Sequence, residues 1–486
     1  MSDATAKAAK PAVLTPDLCV IGAGARGIAL ATAAAAFGVP VVLIEREAAG
    51  GRHIELAAKA LIEAAARAQD LREAGRLGIQ ADPPRVNDAQ IHDHIQRALA
   101  VTLANQRPER LAVLGIRLIR GEAHFTGRGS LKVGDITVKA RRFAIATGSR
   151  TELPALPGLA SLDPALILTG DDLPALTRLP ERLAVLGGGA SAVALAQAFA
   201  RLGSTVTLIC PTGILPEHDA EAVMTLRQRL LREGVRLHED GEIAHVESHR
   251  TGLGLTVTGL AGESAIEVSR LLVAGHRKPD IEALDLDLAG VRSDAAGATV
   301  DKSLRTDNRR IYALGSCAGG AAAGSRDFAS DDQIGLVLRS VLFRRNGSLD
   351  RASHPRIAWC RPEIASVGDW QAAKDARPGT LRFLRWPFAE APGAAAAGRS
   401  EGYVKLVTDR KGRLRGVTIV GDGAGELIMP WSIALKAGLD VQAMAEGAFP
   451  ALAASAASRS AALTFHGPAT TSPGLRRLIG FLRRFG

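Results

Sequence analysis

Two short glycine-rich segments carry the residue types and spacing best suited to chemistry in this chain of 486 residues. The first is Gly-Ala-Gly-Ala-Arg-Gly at 22–27, directly after the apolar run 18–21. Gly22 permits a tight turn, Gly24 lets a pyrophosphate approach the backbone, and Gly27 lets a helix pack closely on a strand. The free N–H groups and the dipole at the start of that helix favour phosphate oxygens. The spacing predicts a dinucleotide-binding turn; the alternative is a tight turn without a ligand.

The elements around this turn complete a strand–turn–helix–strand unit. An alanine-rich run extends to Phe37, Gly38 ends it, and a second apolar strand at 41–44 leads into Glu45. A carboxylate at the tip of that strand can accept hydrogen bonds from both hydroxyls of an adenosine ribose. The order of elements therefore predicts a Rossmann-like unit that positions the turn at one edge of a parallel sheet.

The second segment repeats this pattern at 187–192 with Gly-Gly-Gly-Ala-Ser-Ala, so that Gly187, Gly189 and Ala192 take the three glycine positions. A strand at 183–186 precedes it, a helix follows, and the next strand ends on Cys210. This unit predicts a second nucleotide site, with loss of nucleotide binding as the alternative. Because Cys210 is neither an acid nor a base, the motif does not distinguish NADH from NADPH.

Length and composition narrow the class of protein. A chain of this length is expected to form about three domains. The cysteines Cys19, Cys210, Cys317 and Cys360 are scattered, without a Cys-x-x-Cys pair or a metal-ligand cluster, which predicts reduced thiols, no metal and a cytoplasmic protein. The net charge is +10, but the arginines are dispersed without interleaved aromatic residues. Nucleic-acid binding is therefore not expected.

Five motifs in order resemble the class I pyridine nucleotide-disulfide oxidoreductases, the family of lipoamide dehydrogenase, glutathione reductase and mercuric reductase. They are the first glycine turn with Glu45, the run Ala-Thr-Gly-Ser at 146–149, the second glycine turn with the mercuric-reductase-like run 194–203, the run 312–316, and the pair of segments 362–368 and 402–406. The resemblance covers about 18–462. It implies an α/β fold with two Rossmann-like nucleotide-binding domains, for FAD and NAD(P), plus a C-terminal α+β dimerisation domain, assembled as a homodimer.

The same resemblance implies domain boundaries and cofactor contacts. The FAD-binding domain would comprise 1–155 and 275–350, the NAD(P)-binding domain 156–274, the dimerisation domain 351–466, and a tail 467–486. The implied FAD contacts are Gly22, Gly24, Gly27, Glu45, Gly51, Lys59, Ala123, Thr147, Gly148, Ser149, Gly315 and Ser316. The implied NAD(P)H contacts are Gly187, Gly189, Ala192 and Arg277.

Departures from the family pattern bear on the chemistry. After Gly51 the family has Cys-x-x-x-x-Cys, the redox disulfide, whereas this chain reads Arg-His-Ile-Glu-Leu-Ala-Ala-Lys and both cysteines are absent. The catalytic His-Pro dyad falls on Phe449-Pro450, and the glutamate partner of its histidine falls on Ala454. The aspartate that binds the ribityl chain falls on Ser316.

Lys59 stands where the family lysine lies beside the flavin, but the glutamate partner of that lysine falls on Ala194. Such a lysine either finds another acid or raises the reduction potential of the flavin by stabilising its anionic reduced form. The alternative is a solvated surface lysine. His53, within the altered segment, either faces the flavin or is an ordinary loop residue.

A disulfide reductase needs a thiolate and a base that activates it. Because this chain has neither at the family positions, we expect an FAD-dependent NAD(P)H oxidoreductase that passes electrons from flavin directly to a quinone or another small-molecule acceptor. A different class is a catalytically degenerate flavoprotein that acts as a scaffold or sensor. A third hypothesis keeps the family's disulfide chemistry, with lipoamide, glutathione or mercuric ion as the substrate, and would have to recruit Cys317 or Cys360.

The tail predicts a basic amphipathic helix over 474–486. Leu475, Leu478, Ile479, Leu482 and Phe485 recur at helical spacing, and Arg476, Arg477, Arg483 and Arg484 lie on the other side. Such a helix either binds the inner face of a membrane peripherally or packs on its own protein or its dimer mate.

Overall fold

The computed structural model describes residues 12–46, 53–260, 262–275, 277–319, 332–369, 379–467 and 472–485. Within them, three five-stranded sheets form the framework. Gly51, one of the predicted FAD contacts, lies outside the described residues.

The first sheet is parallel and contains the first glycine turn. Its strands, in spatial order, are Ile311–Ala313, Arg142–Ile145, Leu18–Ile21, Val41–Glu45 and Ile116–Arg120. Leu18–Ile21 and Arg142–Ile145 are almost entirely buried, as expected for central parallel strands that are covered on both faces. Because Ile311–Ala313 comes from much later in the chain, this layer is built from two separated parts of the sequence.

The second sheet is also parallel and repeats the arrangement around the second glycine turn. Its strands are Ile167–Thr169, Arg270–Val273, Arg182–Leu186, Thr205–Cys210 and Arg236–Glu239. The chain then forms an antiparallel sheet of Glu242–His249, Gly252–Gly259 and Gly262–Val268, which the sequence analysis did not predict. Alternate apolar residues of that sheet, such as Leu253, Leu255 and Val257, pack against Leu186 and Ile209 of the second sheet.

The third sheet is antiparallel and belongs to the predicted α+β region. Its strands are Arg356–Ala358, Glu363–Gly368, Leu414–Gly421, Tyr403–Asp409 and Leu381–Pro387. Of the two helices predicted there, Val441–Glu446 is present, but the expected helix at 426–437 is divided into Ala424–Leu427 and Met429–Ala437. Pro430 falls in the first turn of the second piece, where its missing N–H is tolerated. A further helix, Ala456–Leu463, packs on this sheet.

Shorter strands and the remaining helices complete the fold. The short strands are Val13–Leu14, Ala123–Gly127, Ser130–Val133, Ile136–Val138, Ser149–Thr151, Arg277–Pro279, Ser293–Asp294, Gly297–Thr299 and Ala318–Gly319. The other helices are Ala25–Ala35, Ile54–Glu73, Asp88–Ala104, Pro108–Val113, Ala190–Arg201, Ala220–Arg232, Asp332–Phe343, Pro392–Ala396 and Pro473–Leu482. Among the described helices, none has the length and apolar character needed to cross a bilayer.

The helix Ile54–Glu73 joins the layers. Its small buried residues Ala57 and Ala60 share a core with Leu195 and Phe199 of the helix Ala190–Arg201. The same core includes Tyr403 of the third sheet. Lys59 is therefore carried on a helix that is packed against the second glycine unit.

Candidate functional site: a cleft between two glycine turns

The first glycine turn has the geometry that its spacing predicts. Gly22 has φ +103, and a Cβ there would lie 2.5 Å from the carbonyl oxygen of Ala146. A Cβ on Gly27 would lie 1.9 Å from the carbonyl oxygen of Gly22. A Cβ on Gly24, by contrast, would meet nothing within 4 Å. Gly22 and Gly27 are thus required by the fold, whereas the open space at Gly24 lies where a pyrophosphate would approach.

Glu45 is bonded to this turn. One of its carboxylate oxygens accepts a hydrogen bond from the backbone N–H of Ala23 at 2.6 Å. The strand tip is thereby fixed beside the start of the helix Ala25–Ala35, and Glu45 lines the same cavity as Gly24. From this position a carboxylate can accept hydrogen bonds from the hydroxyl groups of a ribose.

The second turn is built in the same way. Gly187 has φ +134, and a Cβ there would lie 2.1 Å from the carbonyl oxygen of Ala274, whereas a Cβ on Gly189 would meet nothing within 4 Å. The sequence analysis did not single out Gly188, yet a Cβ there would lie 2.1 Å from the carbonyl oxygen of Gly213. The three consecutive glycines at 187–189 were the sequence signal that could have identified Gly188 as a required glycine.

A cavity of about 1030 Å³ connects the two turns. The predicted site residues that line it are Gly22, Gly24, Glu45, His53, Lys59, Ala123, Thr147, Gly148, Ser149, Gly189, Ala192, Arg277, Gly315 and Ser316. Gly27 and Gly187 shape the turns instead of facing the cavity. A volume of this size reaches the upper end of the range for ligand pockets.

The Thr147–Ser149 turn is held by Arg277 and lies next to Ser316. The Arg277 guanidinium donates from Nε to Ser149 Oγ at 2.9 Å and from Nη1 to Thr151 Oγ1 at 3.1 Å. A Cβ on Gly148 would lie 3.8 Å from Ser316 Oγ, so two predicted flavin-contacting turns meet here. Gln333, which the sequence analysis missed, accepts a hydrogen bond from the N–H of Gly315 at 2.7 Å.

Lys59 forms an ion pair with an acid other than the family's glutamate. Its Nζ lies 2.7 Å from Glu63 Oε1, one helical turn further on, and 4.1 Å from the ring centroid of Trp359. Burial raises the pKa of Glu63, but the hydrogen bond and charge of Lys59, together with the Arg361 and Arg67 cations, lower it by more, so the net shift is downward. The cation is thus placed on the cavity wall between an acid and an indole. Its influence on a flavin stays a prediction.

His53 immediately precedes the helix Ile54–Glu73 and lies at the cavity wall. Its Nε2 lies 3.0 Å from Oε1 of Gln106, a residue just beyond the C-terminal end of the helix Asp88–Ala104. This contact explains its position, whereas a catalytic role stays a prediction.

All four cysteines lie in described parts of the chain, and all are buried and unpaired. None of them is among the residues that line the cavity. Burial raises the pKa of the Cys317 thiol and raises that of Cys360 to about 12, so both stay protonated near neutral pH. The geometry speaks against the hypothesis that recruits either thiol.

His218 is a cavity residue that the sequence analysis missed. Its side chain is only 9% exposed, and its Nδ1 is buried without a hydrogen-bond partner. Burial, with a smaller contribution from the Arg356 cation, lowers the pKa of His218 to about 4. The imidazole is therefore neutral at physiological pH.

Protonation of His218 should make stability depend on pH. Between pH 6.5 and 4 the unfolded chain takes up a proton on this ring that the folded chain does not, so stability falls as pH falls. The shift of the His218 pKa from 6.5 to about 4 corresponds to a decrease in the free energy of unfolding on the order of 3 kcal/mol as the pH falls through this range. Urea unfolding of His218→Phe should show a correspondingly flatter pH dependence than the parent, whereas exposed His249→Phe should leave it unchanged. Equal slopes for all three proteins would contradict the expectation.

Comparison with known proteins agrees with this geometry. Residues 16–340 match the model of the family described as pyridine nucleotide-disulphide oxidoreductase, and 354–462 match its dimerisation domain. The chain belongs to this family. Its cofactors are accordingly FAD and NAD(P)H, it is an FAD-dependent pyridine nucleotide oxidoreductase, and the dimerisation domain supports a homodimer.

Individual relatives and structures are similar over most of their length. A mercuric reductase of Streptomyces lividans is 31% identical over 460 residues, covering 92% of this chain and 96% of that protein. A dihydrolipoyl dehydrogenase of Halobacterium salinarum is 29% identical over 446 residues, covering 88% of this chain and 92% of that protein. The structure of the HOCl-induced flavoprotein disulfide reductase RclA from Escherichia coli aligns with TM-score 0.79 at 24% identity, covering 92% of this chain and 99% of that one. LpdA from Mycobacterium tuberculosis aligns with TM-score 0.81 at 24% identity, covering 93% and 99%.

The fold class, the family and the cofactors predicted from the sequence are thus confirmed. The residues present fit FAD, because the space beside Gly24 is open and Glu45 is fixed at the strand tip. The domain boundaries and the roles of individual site residues stay predictions. Across the described ranges, no group of three or more His, Cys, Asp or Glu is arranged to hold a metal ion.

Proposed function

We propose that this protein is an FAD-dependent NAD(P)H oxidoreductase that delivers electrons from flavin directly to a small-molecule acceptor, without a redox disulfide. The observation that carries this proposal is that, among the described residues, no cysteine lines the cleft between the two glycine turns. The segment 47–58, which leads to Lys59, contains no cysteine either. A family member that relays electrons through sulfur needs a thiolate beside its flavin.

The position of the family base supports the same reading. Phe449 occupies it, and its ring packs against the core of the third sheet together with Ala454. Neither side chain can accept a proton from a thiol. The relay therefore lacks its base as well as its sulfur.

The overall reaction that remains is NAD(P)H + H⁺ + quinone → NAD(P)⁺ + quinol. Bound FAD supplies the chemistry that takes two electrons from the nicotinamide and passes them on singly or in pairs. The chain itself binds the two dinucleotides on its two turns and places the Lys59 cation and the Trp359 ring at the cavity wall. A planar quinone is a suitable acceptor for such an aromatic wall.

Anaerobic reduction followed by reoxidation tests the proposal. NADH or NADPH should bleach the flavin absorbance of the purified yellow protein, and 1,4-benzoquinone should restore it. Oxidised glutathione and lipoamide should not restore it, and Cys317→Ser and Cys360→Ser should behave like the parent. Reoxidation by a disulfide that is lost in either serine variant would refute direct transfer, and failure of both nucleotides to bleach the flavin would favour a scaffold or sensor.

Lys59 should raise the flavin midpoint potential. Removing its charge in Lys59→Met should lower that potential by about 30 mV. The reason is that the variant loses a cation that stabilises the anionic reduced flavin, relative to the oxidised flavin, by about 1.4 kcal/mol. Glu63→Gln should shift it upward, since Lys59 then loses the carboxylate 2.7 Å away. Redox titration against dyes measures both, and shifts of the same sign in the two variants would contradict this role.

We also propose that the C-terminal helix contacts an anionic membrane peripherally, which would bring a lipid-soluble quinone close to the enzyme. No residue of Pro473–Leu482 is buried, and Leu478, Ile479 and Leu482 are 51%, 48% and 56% exposed. The four arginines at 476, 477, 483 and 484 complement acidic lipid headgroups.

Vesicle sedimentation tests this contact. The full chain should pellet with vesicles that contain phosphatidylglycerol but not with pure phosphatidylcholine. Leu478→Asp/Ile479→Asp should stay in the supernatant without a change in oligomeric state. Equal sedimentation of parent and variant would refute the membrane contact, and a loss of the dimer in the variant would instead indicate packing on the dimer mate.

A further inference from the structure

The tips of the two equivalent strands differ in chemistry. Val41–Glu45 ends on an acid that is bonded to its glycine turn. Thr205–Cys210 ends on a thiol that is fully buried and points away from solvent, with its Sγ 3.7 Å from the carbonyl oxygen of His238. The residue at the tip of the second unit therefore offers no hydrogen-bond acceptor to a ribose.

The neighbouring strand supplies the missing carboxylate. Glu239 pairs in register with Cys210, and its Oε1 accepts a hydrogen bond from the N–H of Ile214 at 3.3 Å. The same carboxylate holds the Arg227 guanidinium in a bidentate pair, with Nε to Oε2 at 2.6 Å and Nη2 to Oε1 at 2.7 Å. The Arg227 cation, which acts on Cys210, is thus already paired with a carboxylate.

The loop that leaves the strand faces the cavity without a lysine or arginine, and its His218 is neutral at physiological pH. Thr212, Pro216 and Glu217 line the cavity, and the N–H of Leu215 donates to the carbonyl oxygen of Gly188 at 2.7 Å, which fixes the loop against the second turn. Residues 210–219 include Glu217 and Asp219 but no lysine or arginine. A 2′-phosphate at this place would meet the Glu217 carboxylate, whereas a ribose hydroxyl can donate to it.

We propose that this loop selects NADH over NADPH, and that Glu239 maintains the selection by keeping Arg227 engaged. The proposal rests on the use of a reduced nicotinamide in the proposed function and names which one. Glu239 acts as a positioning residue, because it governs the charge available to the adenosine ribose through Arg227.

The electrostatic environment of Cys210 supports this assignment. Its thiol pKa is raised to about 12, first by burial and then by the carboxylates of Glu239 and Asp240, with Arg227 as the smaller opposing influence. At Cys210 the two carboxylates thus outweigh the Arg227 cation, in line with the absence of a lysine or arginine from the adjoining loop.

Parallel binding and reduction measurements test the inference. In the parent, NADH should reduce the flavin with a kcat/KM about 30-fold or more above that of NADPH, and NAD⁺ should bind more tightly than NADP⁺ by calorimetry. Glu239→Gln should tighten NADP⁺ binding about 10-fold and leave NAD⁺ within about threefold, because the amide still accepts from Ile214 while Arg227 is released to the phosphate.

Three further variants make the outcome decisive. Arg227→Gln/Glu239→Gln should lose the gain in NADP⁺ affinity, and Thr212→Arg, which adds a cation on the exposed cavity wall, should produce a gain of its own. Glu263→Gln, the same change on an exposed strand remote from the turn, should alter neither affinity. Equal or tighter binding of NADP⁺ by the parent, or a Glu239→Gln variant that matches Glu263→Gln, would overturn the inference. If neither nucleotide reduces the flavin, the proposed function fails while the two affinities still test the selection.

Discussion

Gly24→Val should fold normally and purify without FAD. Gly24 has φ −66 and ψ 174, an extended conformation that valine adopts readily, and a Cβ there meets no protein atom within 4 Å. The new methyl groups would instead fill the part of the cavity where the pyrophosphate must approach the backbone. Since that approach is the purpose of the glycine, we expect flavin occupancy to fall by about two orders of magnitude.

Gly189→Val provides the matched control in the second unit. Gly189 has φ −73 and ψ 171 and is equally free of neighbours, so the backbone cost should be the same. This variant should retain its yellow colour but should not be bleached by NADH or NADPH. The two substitutions therefore separate the cofactor sites while leaving the fold unchanged.

Absorbance at 450 nm and the adenine dinucleotide released on boiling measure the first effect, and anaerobic titration measures the second. Circular dichroism confirms that both variants fold. A yellow Gly24→Val, or a Gly189→Val that is bleached as readily as the parent, would mean that the dinucleotides are not seated on these turns.

Both turns could be predicted from sequence because each is a local motif. The glycines of each turn lie within a few residues of one another, and apolar runs mark the flanking strands directly. The backbone that excludes a Cβ at Gly22 and Gly187 is more distant in sequence, because it directly follows the adjoining parallel strand at Ala146 and Ala274. The α+β region was likewise visible as a change in pattern. The observed element boundaries differ from the predicted ones mainly where a proline begins a new helix, as at Pro430.

The features missed are those that depend on contacts between distant parts of the chain. Glu239 gains its importance from its register with Cys210, and the contact of the predicted site residue Lys59 with Trp359 joins residues 300 positions apart. The Nδ1 atom of His218 is buried without a hydrogen-bond partner in the folded chain, where the residue lines the cleft, and no local pattern indicates this. The antiparallel sheet over 242–268 was missed because its alternating apolar residues are interrupted by polar turns, and only their packing on the second sheet makes them a core.

A buried cluster of charges holds the second unit against the third sheet. Glu233 accepts from Arg201 at 2.7 Å and 2.8 Å and from Arg229 at 2.5 Å, and the side chains of Arg201 and Glu233 are only 4% and 7% exposed. Gln197 donates to Glu233 at 3.1 Å and to the carbonyl oxygen of Arg361 at 2.6 Å, which extends the cluster to the turn between two strands of the third sheet. Glu233 is therefore the anion shared by two buried cations.

Glu233→Ala should cost about 3–5 kcal/mol of stability, because it leaves the Arg201 guanidinium buried without a carboxylate. Arg229 still contacts Glu73 and Glu401, so the loss arises mainly at Arg201. Urea unfolding with saturating FAD, which keeps the contribution of cofactor binding constant, measures the loss. Exposed Glu263→Ala should stay within about 0.5 kcal/mol of the parent. If both variants unfolded at the same urea concentration, the cluster would contribute nothing net, and close apolar packing alone would hold the helix Ala190–Arg201 in place.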